Sequence, residues 1–553
     1  MSADVGNLTP GHLMAEHSRA AGWRLAGLLP ALLVAVPLLV VFSGWLQPES
    51  EVWRHLADTI LGELIANTLY LLAGVGGGVL LLGVGLAWLT ALCDFPGRRL
   101  FDWALMLPLA VPAYVLAFVA LGLFDFSGPL QSALRDWLGP GLRLPEIRSG
   151  GGVAAVMVLV LYPYVYMLAR SAFLTQGQGT LEAARVLGLG PWGAFFRVAL
   201  PMARPAIVAG TALALMETLA DFGTVAVFNF DTFTTAIYKA WFGLFNLQAA
   251  SQLASLLLLL VAAALLLERR FRGRARYHEG SRGPVARRYR LSGWKGWGAA
   301  LLCTLVLAAA FVVPVLQLLL WAWESAADYL DRRYLDLVLH TLFLGALAAL
   351  LTVSGALLLA FARRRGRDAL TAWSVSVATL GYALPGSVLA VGIMLGFTGM
   401  DNFLNSLWQY LGYEAPGRIL SGTLLALLLA YGVRFLAVAF GPVESALERI
   451  RPSLPEAARA LGAGSHETLR RIYLPLLRPG LLTATLLVLV DVMKEMPATL
   501  LLRPFGWDTL AVRIYELTSE GEWERAALPA ITLVLAGLLP VIVLVRRSAR
   551  GLR

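Results

Sequence analysis

Two long apolar runs of this 553-residue chain each carry several ionisable residues: Glu217 and Asp221 in one run, and Asp491, Lys494 and Glu495 in another. A charged side chain at the centre of a bilayer costs about 3 kcal/mol even on lenient insertion scales, so each of these needs a reason. Within each run the two carboxylates are four residues apart, which on a continuous helix puts them on one face. An offset of 274 aligns Glu217 with Asp491 and Asp221 with Glu495. Oxygen ligands of this kind suit hard, highly charged cations. Lys494 offers Asp491 an ion-pair partner when no cation is present. Structural pairing near a membrane interface is the competing reading, and spacing alone does not separate the two.

The elements that must position these acids are membrane helices. Hydrophobic residues make up 58% of the chain and charged residues 14%, where a globular protein carries about a quarter charged. Twelve stretches are long enough to cross the hydrocarbon core as helices. They lie near 25–44, 64–91, 102–124, 152–174, 205–228 and 249–267, then near 297–320, 337–361, 371–397, 419–440, 479–502 and 527–545. The first run, Leu25 to Phe42, is long for a signal-peptide core and lacks a convincing cleavage site, so it reads as an uncleaved span. Cys93 and Cys303 sit in or beside apolar runs and read as packing residues. Trp45, Trp53, Trp321 and Trp323 fit an aromatic belt at the outer interface.

A net charge of +10 would suit nucleic acid, but the arginines cluster between apolar runs as the positive-inside rule requires. Ten Lys or Arg fall between Glu268 and Lys295, four follow the eighth span (Arg363, Arg364, Arg365, Arg367), and four end the chain (Arg546, Arg547, Arg550, Arg553). Twelve spans with an inside amino terminus put all three clusters in the cytoplasm. The segments 124–150, 229–248, 399–418 and 503–526 are then outer loops. No nucleic-acid partner is expected, and the bilayer is the solvent.

The chain also repeats itself. Glu182-Ala-Ala-Arg-Val-Leu-Gly188 returns as Glu456-Ala-Ala-Arg-Ala-Leu-Gly462, Leu200-Pro201 as Leu474-Pro475, and Arg204-Pro205 as Arg478-Pro479, all at an offset of 274. One residue less maps Asn67-Thr68-Leu69 onto His340-Thr341-Leu342 and Pro112 onto Pro385. The fold class is therefore an all-α polytopic membrane protein of two tandem six-helix halves, related by a pseudo-twofold axis along the membrane normal. The expected divisions are an N-terminal segment with the first span (1–63), a first permease domain (64–267), a basic linker (268–296), the seventh span and its loop (297–336), a second permease domain (337–547) and a tail (548–553).

Both repeated Glu-Ala-Ala stretches fall in inside loops between the fourth and fifth spans of their halves. Each reads as helix, tight turn, helix. Ser453 and Glu456 have the spacing of a capping box around Pro455, and Thr180 is the matching cap in the first half. Gly188 and Gly190, or Gly462 and Gly464, permit the positive φ that ends one helix before the next. Pro201 and Pro475 are expected to stop the second helix before the membrane.

With its trailing glycine and Leu-Pro, this loop resembles the signature of permease subunits in binding-protein-dependent ATP-binding-cassette importers, the type-1 transmembrane class. The resemblance implies that Glu182, Ala183, Ala184, Gly188 and Glu456, Ala457, Ala458, Gly462 couple the permease to a cytoplasmic ATPase. It implies two copies of that ATPase, a periplasmic or extracytoplasmic substrate-binding protein, and residence in a bacterial inner membrane with both termini cytoplasmic. The run Asp491-Val-Met-Lys-Glu-Met-Pro through Asp508-Thr-Leu-Ala-Val-Arg-Ile-Tyr515 resembles fused ferric-iron permeases, and Leu219 to Phe228 resembles their first half. Ferric iron, as Fe3+ or a small chelate, is thus the implied cargo, with thiamine or polyamine as alternatives. Glu217, Asp221, Asp491 and Glu495 would line its path, with transient Fe3+ contact at Asp221 and Glu495 and no stable metal site. No cofactor is expected in this chain. It contains no Walker-type phosphate loop, so ATP and Mg would bind the partner and the chain is not itself an enzyme. An ion-gradient-driven transporter explains the spans and buried acids but leaves the paired loops unexplained.

Overall fold

The computed structural model describes residues 10–46, 50–139, 145–175, 186, 188–272, 288–366 and 368–550. Among the described residues twelve helices are long and apolar enough to span a bilayer, six in each repeat. The protein is an all-α polytopic membrane protein of two tandem six-helix halves. In hydrocarbon a backbone N–H or C=O has no water to bond, and a helix satisfies nearly all of them within one segment. The described β-structure is one parallel pairing of Cys93–Asp94 with Tyr289–Arg290.

The described residues form two compact units that do not follow the repeat. One contains Met1–Ser43, Leu339–Ala498 and Leu502–Trp507; the other contains Gly44–Val338, Thr499–Leu501 and Asp508–Arg553. The first span thus packs with spans eight to eleven, and the seventh packs with spans two to six and the twelfth. Each repeat gives up its own first span. Small residues make the exchanged contacts, as expected where lipid is as apolar as leucine and helices associate by close packing. At Gly392 in helix Gly386–Tyr410 a Cβ would collide with the Pro37 carbonyl oxygen of the first span. At Gly122 in helix Ala113–Phe124 it would meet Trp321 of the seventh span at 2.5 Å. Trp321 is accordingly buried, and its ring stacks 6.4 Å from Phe118. Trp321 therefore faces other helices, whereas Trp323 is 86% exposed. Both cysteines are free and buried.

The third and ninth spans start later than hydropathy suggested. Short helices Arg98–Ala104 and Ala369–Ala378 each lead into a tight 3-10 turn, and the long helices begin only after Pro112 and Pro385. The repeat-mate prolines hold the position just before each helix, with ψ of 144° and 137°. The residues before them, Val111 and Leu384, are extended, because a proline ring disfavours helical geometry in its predecessor.

Replacing Gly392 with Val should displace the first span and lower stability by about 1–3 kcal/mol, the usual range for overpacking. A Cβ at Gly396, one turn along the same helix, would meet nothing within 4 Å. Gly396→Val should therefore leave the melting temperature in detergent unchanged or slightly higher, and equal losses at both sites would refute the exchanged contact.

Candidate functional site

The Glu-Ala-Ala segment of the second half is an exposed helix with a sharp end. Helix Ser453–Ala460 is preceded by Pro452 in helical geometry and has no side-chain cap. The capping box expected at Ser453 and Glu456 is absent, because the fixed φ of Pro452 suits a helix and lets it begin one residue earlier. Glu456 N–H bonds the Pro452 carbonyl at 3.3 Å. Glu456 and Ala457 are exposed and Ala458 is half-buried, with Leu454 and Leu461 also exposed beside them. At the far end Gly462 has φ of 88°, its N–H bonds Arg459 O, and Ala463 N–H bonds Ala458 O, each at 3.0 Å. This is a Schellman ending, which glycine makes without Cβ strain.

In the first half Gly188 shows the same left-handed turn, with φ of 82°. Glu182, Ala183, Ala184 and the Thr180 cap lie outside the described residues. Of the paired glycines, Gly188 and Gly462 are the left-handed ones; Gly464 has φ of −71° and opens the next helix.

Pro201 and Pro475 do not stop a helix. A π-helical turn, Phe195–Ala199 in one half and Leu469–Tyr473 in the other, runs directly into helices Leu200–Ala220 and Leu474–Lys494. Leu200 N–H bonds Phe195 O, and Leu474 N–H bonds Leu469 O, each five residues back. A proline ring removes one donor and crowds the carbonyl four residues back, and the wider turn relieves both. The loop and the span are therefore one continuous rod.

Each rod breaks at the second acid of its pair. Asp221 ends Leu200–Ala220 with ψ of 130°, and Glu495 ends Leu474–Lys494 with ψ of 113°. Short helices Gly223–Val227 and Pro497–Leu502 follow. The acids cap those short helices. Asp221 Oδ1 accepts from Thr224 N at 2.9 Å and Val225 N at 3.3 Å, while its Oδ2 accepts from the Thr224 hydroxyl at 2.9 Å. Glu495 Oε1 accepts from Ala498 N at 3.1 Å. Because the helix ends there, the expected shared face of each i, i+4 pair is interrupted. Glu217 and Asp221 still interact electrostatically, as do Asp491 and Lys494. Glu217 and Asp221 belong to one compact unit, Asp491 and Glu495 to the other.

Sequence reasoning missed the strongest partner in this region. Arg434, in helix Leu424–Glu448, places Nε 3.2 Å from Glu495 Oε2, with side chains only 9% and 5% exposed. Its Nη1 also donates to the Leu384 carbonyl, just before Pro385, at 3.3 Å. One guanidinium thus ties the break at Glu495 to the break at Pro385. Gly386 makes room for it, since a Cβ there would strike Glu495 Oε1 and lie 2.9 Å from Arg434 Nη1. The available signal was a lone arginine in an apolar span, which needs a buried partner. Arg170 carries the same signal in the fourth span and grips Asp102 with two bonds of 2.7 Å.

Arg434→Leu should destabilise the protein by about 3–5 kcal/mol, because Glu495 loses its buried cation. Adding Glu495→Gln should recover much of that loss, read as the melting temperature of the purified protein in detergent. Additive losses would mean the pair is not coupled.

The comparisons with known proteins agree with this architecture. Residues 80–276 and 342–553 each match the family described as binding-protein-dependent transport system inner membrane component. The chain is 29% identical over 528 residues to the Fe(3+)-transport system permease protein FbpB 2 of Haemophilus influenzae, covering 93% of this chain and 96% of that one. It is 32% identical over 209 residues to the sulfate transport system permease protein CysW of Escherichia coli, covering 37% of this chain and 70% of that one. A 146-residue match to the molybdenum transport system permease protein ModB of Escherichia coli is 33% identical, covering 26% of this chain and 62% of that one. With two copies of the family's unit fused in tandem, the chain belongs to the binding-protein-dependent transport system inner membrane components and is an ATP-binding-cassette importer permease.

Proposed function

We propose that this permease moves ferric iron, as Fe3+ or a small chelate, from an extracytoplasmic binding protein into the cytoplasm. Alternating access would be driven by two copies of a separate ATP-binding-cassette ATPase, which supply all ATP hydrolysis. The observation that carries the cargo is the similarity to FbpB 2, which runs through both repeats, whereas the sulfate and molybdenum relatives match 37% and 26% of the chain. The acids duplicated at the two rod breaks support a cation over an oxyanion, since carboxylates repel anions and attract hard cations.

In this reading Glu182, Ala183, Ala184 and Gly188, with Glu456, Ala457, Ala458 and Gly462, are the two docking surfaces for the ATPase, and both termini are cytoplasmic. The exposed helix that ends at Gly462 supports that assignment. Glu217 and Asp491 contact the passing cargo, while Asp221 and Glu495 fix the breaks beside it and meet it transiently.

The permease should be reconstituted in liposomes with its ATPase and binding protein, and ATP-dependent uptake of labelled iron, thiamine, sulfate and molybdate compared. Iron uptake alone is expected. Gly462→Trp forces a large side chain into a left-handed position and covers the docking face, so uptake should fall by about tenfold or more with insertion unchanged. Uptake that continues without ATP, driven by an imposed ion gradient, would contradict the mechanism.

A further inference from the structure

A second internal repeat begins just beyond the rod breaks. Asp231-Thr-Phe-Thr-Thr-Ala-Ile-Tyr238 returns as Asp508-Thr-Leu-Ala-Val-Arg-Ile-Tyr515 at an offset of 277. The four residues between Thr and Ile differ at every position, yet the closing tyrosine is kept. The capping is kept as well. Thr232 caps helix Phe233–Tyr238, and Thr509 caps helix Leu510–Ser519, accepting from Val512 N at 3.4 Å.

These two equivalent tyrosines meet. Their rings lie 6.3 Å apart edge to face. Phe222, the residue after the Asp221 break, packs against both, 5.2 Å from Tyr238 and 5.4 Å from Tyr515. Phe222 is buried, while both tyrosines are half-buried. Ring packing would be served equally by phenylalanine; the hydroxyls are the part that packing does not require. Equivalent points of two related copies touch only where a two-fold operation brings a surface onto itself. Two phenol oxygens there present a matched pair of hard donors.

We propose that Tyr238 and Tyr515 form a two-phenol contact site for the ferric cargo beside the Asp221 break, one ligand from each copy of the repeat. The inference rests on the iron reading above. Coordination is an acid–base exchange without redox change: each phenol O–H breaks, its proton goes to water, and an O–Fe bond forms. Water or a small chelate keeps the remaining positions. A strongly Lewis-acidic trivalent ion displaces phenol protons where a weaker cation does not. Such a site engages iron without retaining it, as passage requires.

The test uses the full-length permease with its ATPase, titrated with ferric nitrilotriacetate. A visible phenolate-to-iron charge-transfer absorption is expected, weaker in Tyr238→Phe and Tyr515→Phe and lost in the double variant. In liposomes the double variant should import iron at least about tenfold more slowly, the scale on which even outer-shell changes alter metal affinity. ATP hydrolysis and melting temperature should stay at the wild-type values, which separates a ligand role from a structural one. Wild-type iron import without the absorption, or import by the double variant at the wild-type rate, overturns the tyrosine site and leaves the iron reading intact. A wild-type protein that imports another cargo and no iron overturns both.

Discussion

Inside a bilayer every interruption of a helix releases backbone donors and acceptors into a medium that cannot bond them. Each break therefore needs polar groups brought to it, and those groups must themselves be satisfied. The breaks at Asp221 and Glu495 meet this demand by turning the acid at the helix end onto the amide groups of the next short helix. A carboxylate accepting amide bonds at a helix start is favourable twice over, through the bonds and through the helix dipole. The same demand shapes the break at Pro385, whose preceding carbonyl receives the Arg434 guanidinium.

The two halves solve one problem with different chemistry. Asp221 is short, and its second oxygen is taken by the neighbouring Thr224 hydroxyl at 2.9 Å. Glu495 is one methylene longer and reaches Arg434 on another span. A buried ion pair is weak evidence of added stability, because desolvation offsets most of the attraction. Its value here is positional: the planar guanidinium binds an acid at one break and a carbonyl at another, fixing their separation. Gly386 is the counterpart of that arrangement, a residue kept small because two charged groups fill the space a side chain would occupy.

What was legible in the sequence follows from what is local. Twelve apolar runs and a repeat at an offset of 274 are local patterns, and so is the left-handed glycine after Glu-Ala-Ala. The rod breaks were overlooked because apolar residues continue on both sides of Asp221 and Glu495, and Gly223 and Pro497, which stand two residues beyond them, are weak boundary signals inside an apolar run. Leu-Pro was read as a stop, since sequence alone does not reveal that one π turn absorbs the missing donor. The exchanged first spans were invisible for another reason: in lipid a span is apolar all round, so its partner is chosen by small residues such as Gly392 and Gly122, not by a polar face. The tyrosine pair was hidden by register, because three extra residues after the second break shift the offset from 274 to 277.

The continuity of the rods bears on how force would cross the membrane. From Ser465 to Lys494 the chain is helical for 30 residues, about 45 Å at 1.5 Å per residue. One end adjoins the exposed helix closed by Gly462, and the other stops at Glu495, beside the acids. Had Pro475 ended a helix, the exposed Glu-Ala-Ala helix and the break would be joined by a flexible turn, and movement at one end would be lost in that turn. A π turn instead keeps the helix axis unbroken, so displacement of the loop would tilt or slide the whole rod. At the far end, the hydrogen bond from Ala498 N to Glu495 and the Arg434 contact are interactions that can change. Coupling needs a difference in contacts between two arrangements, and this structure concentrates the exchangeable contacts at the tip of a stiff lever.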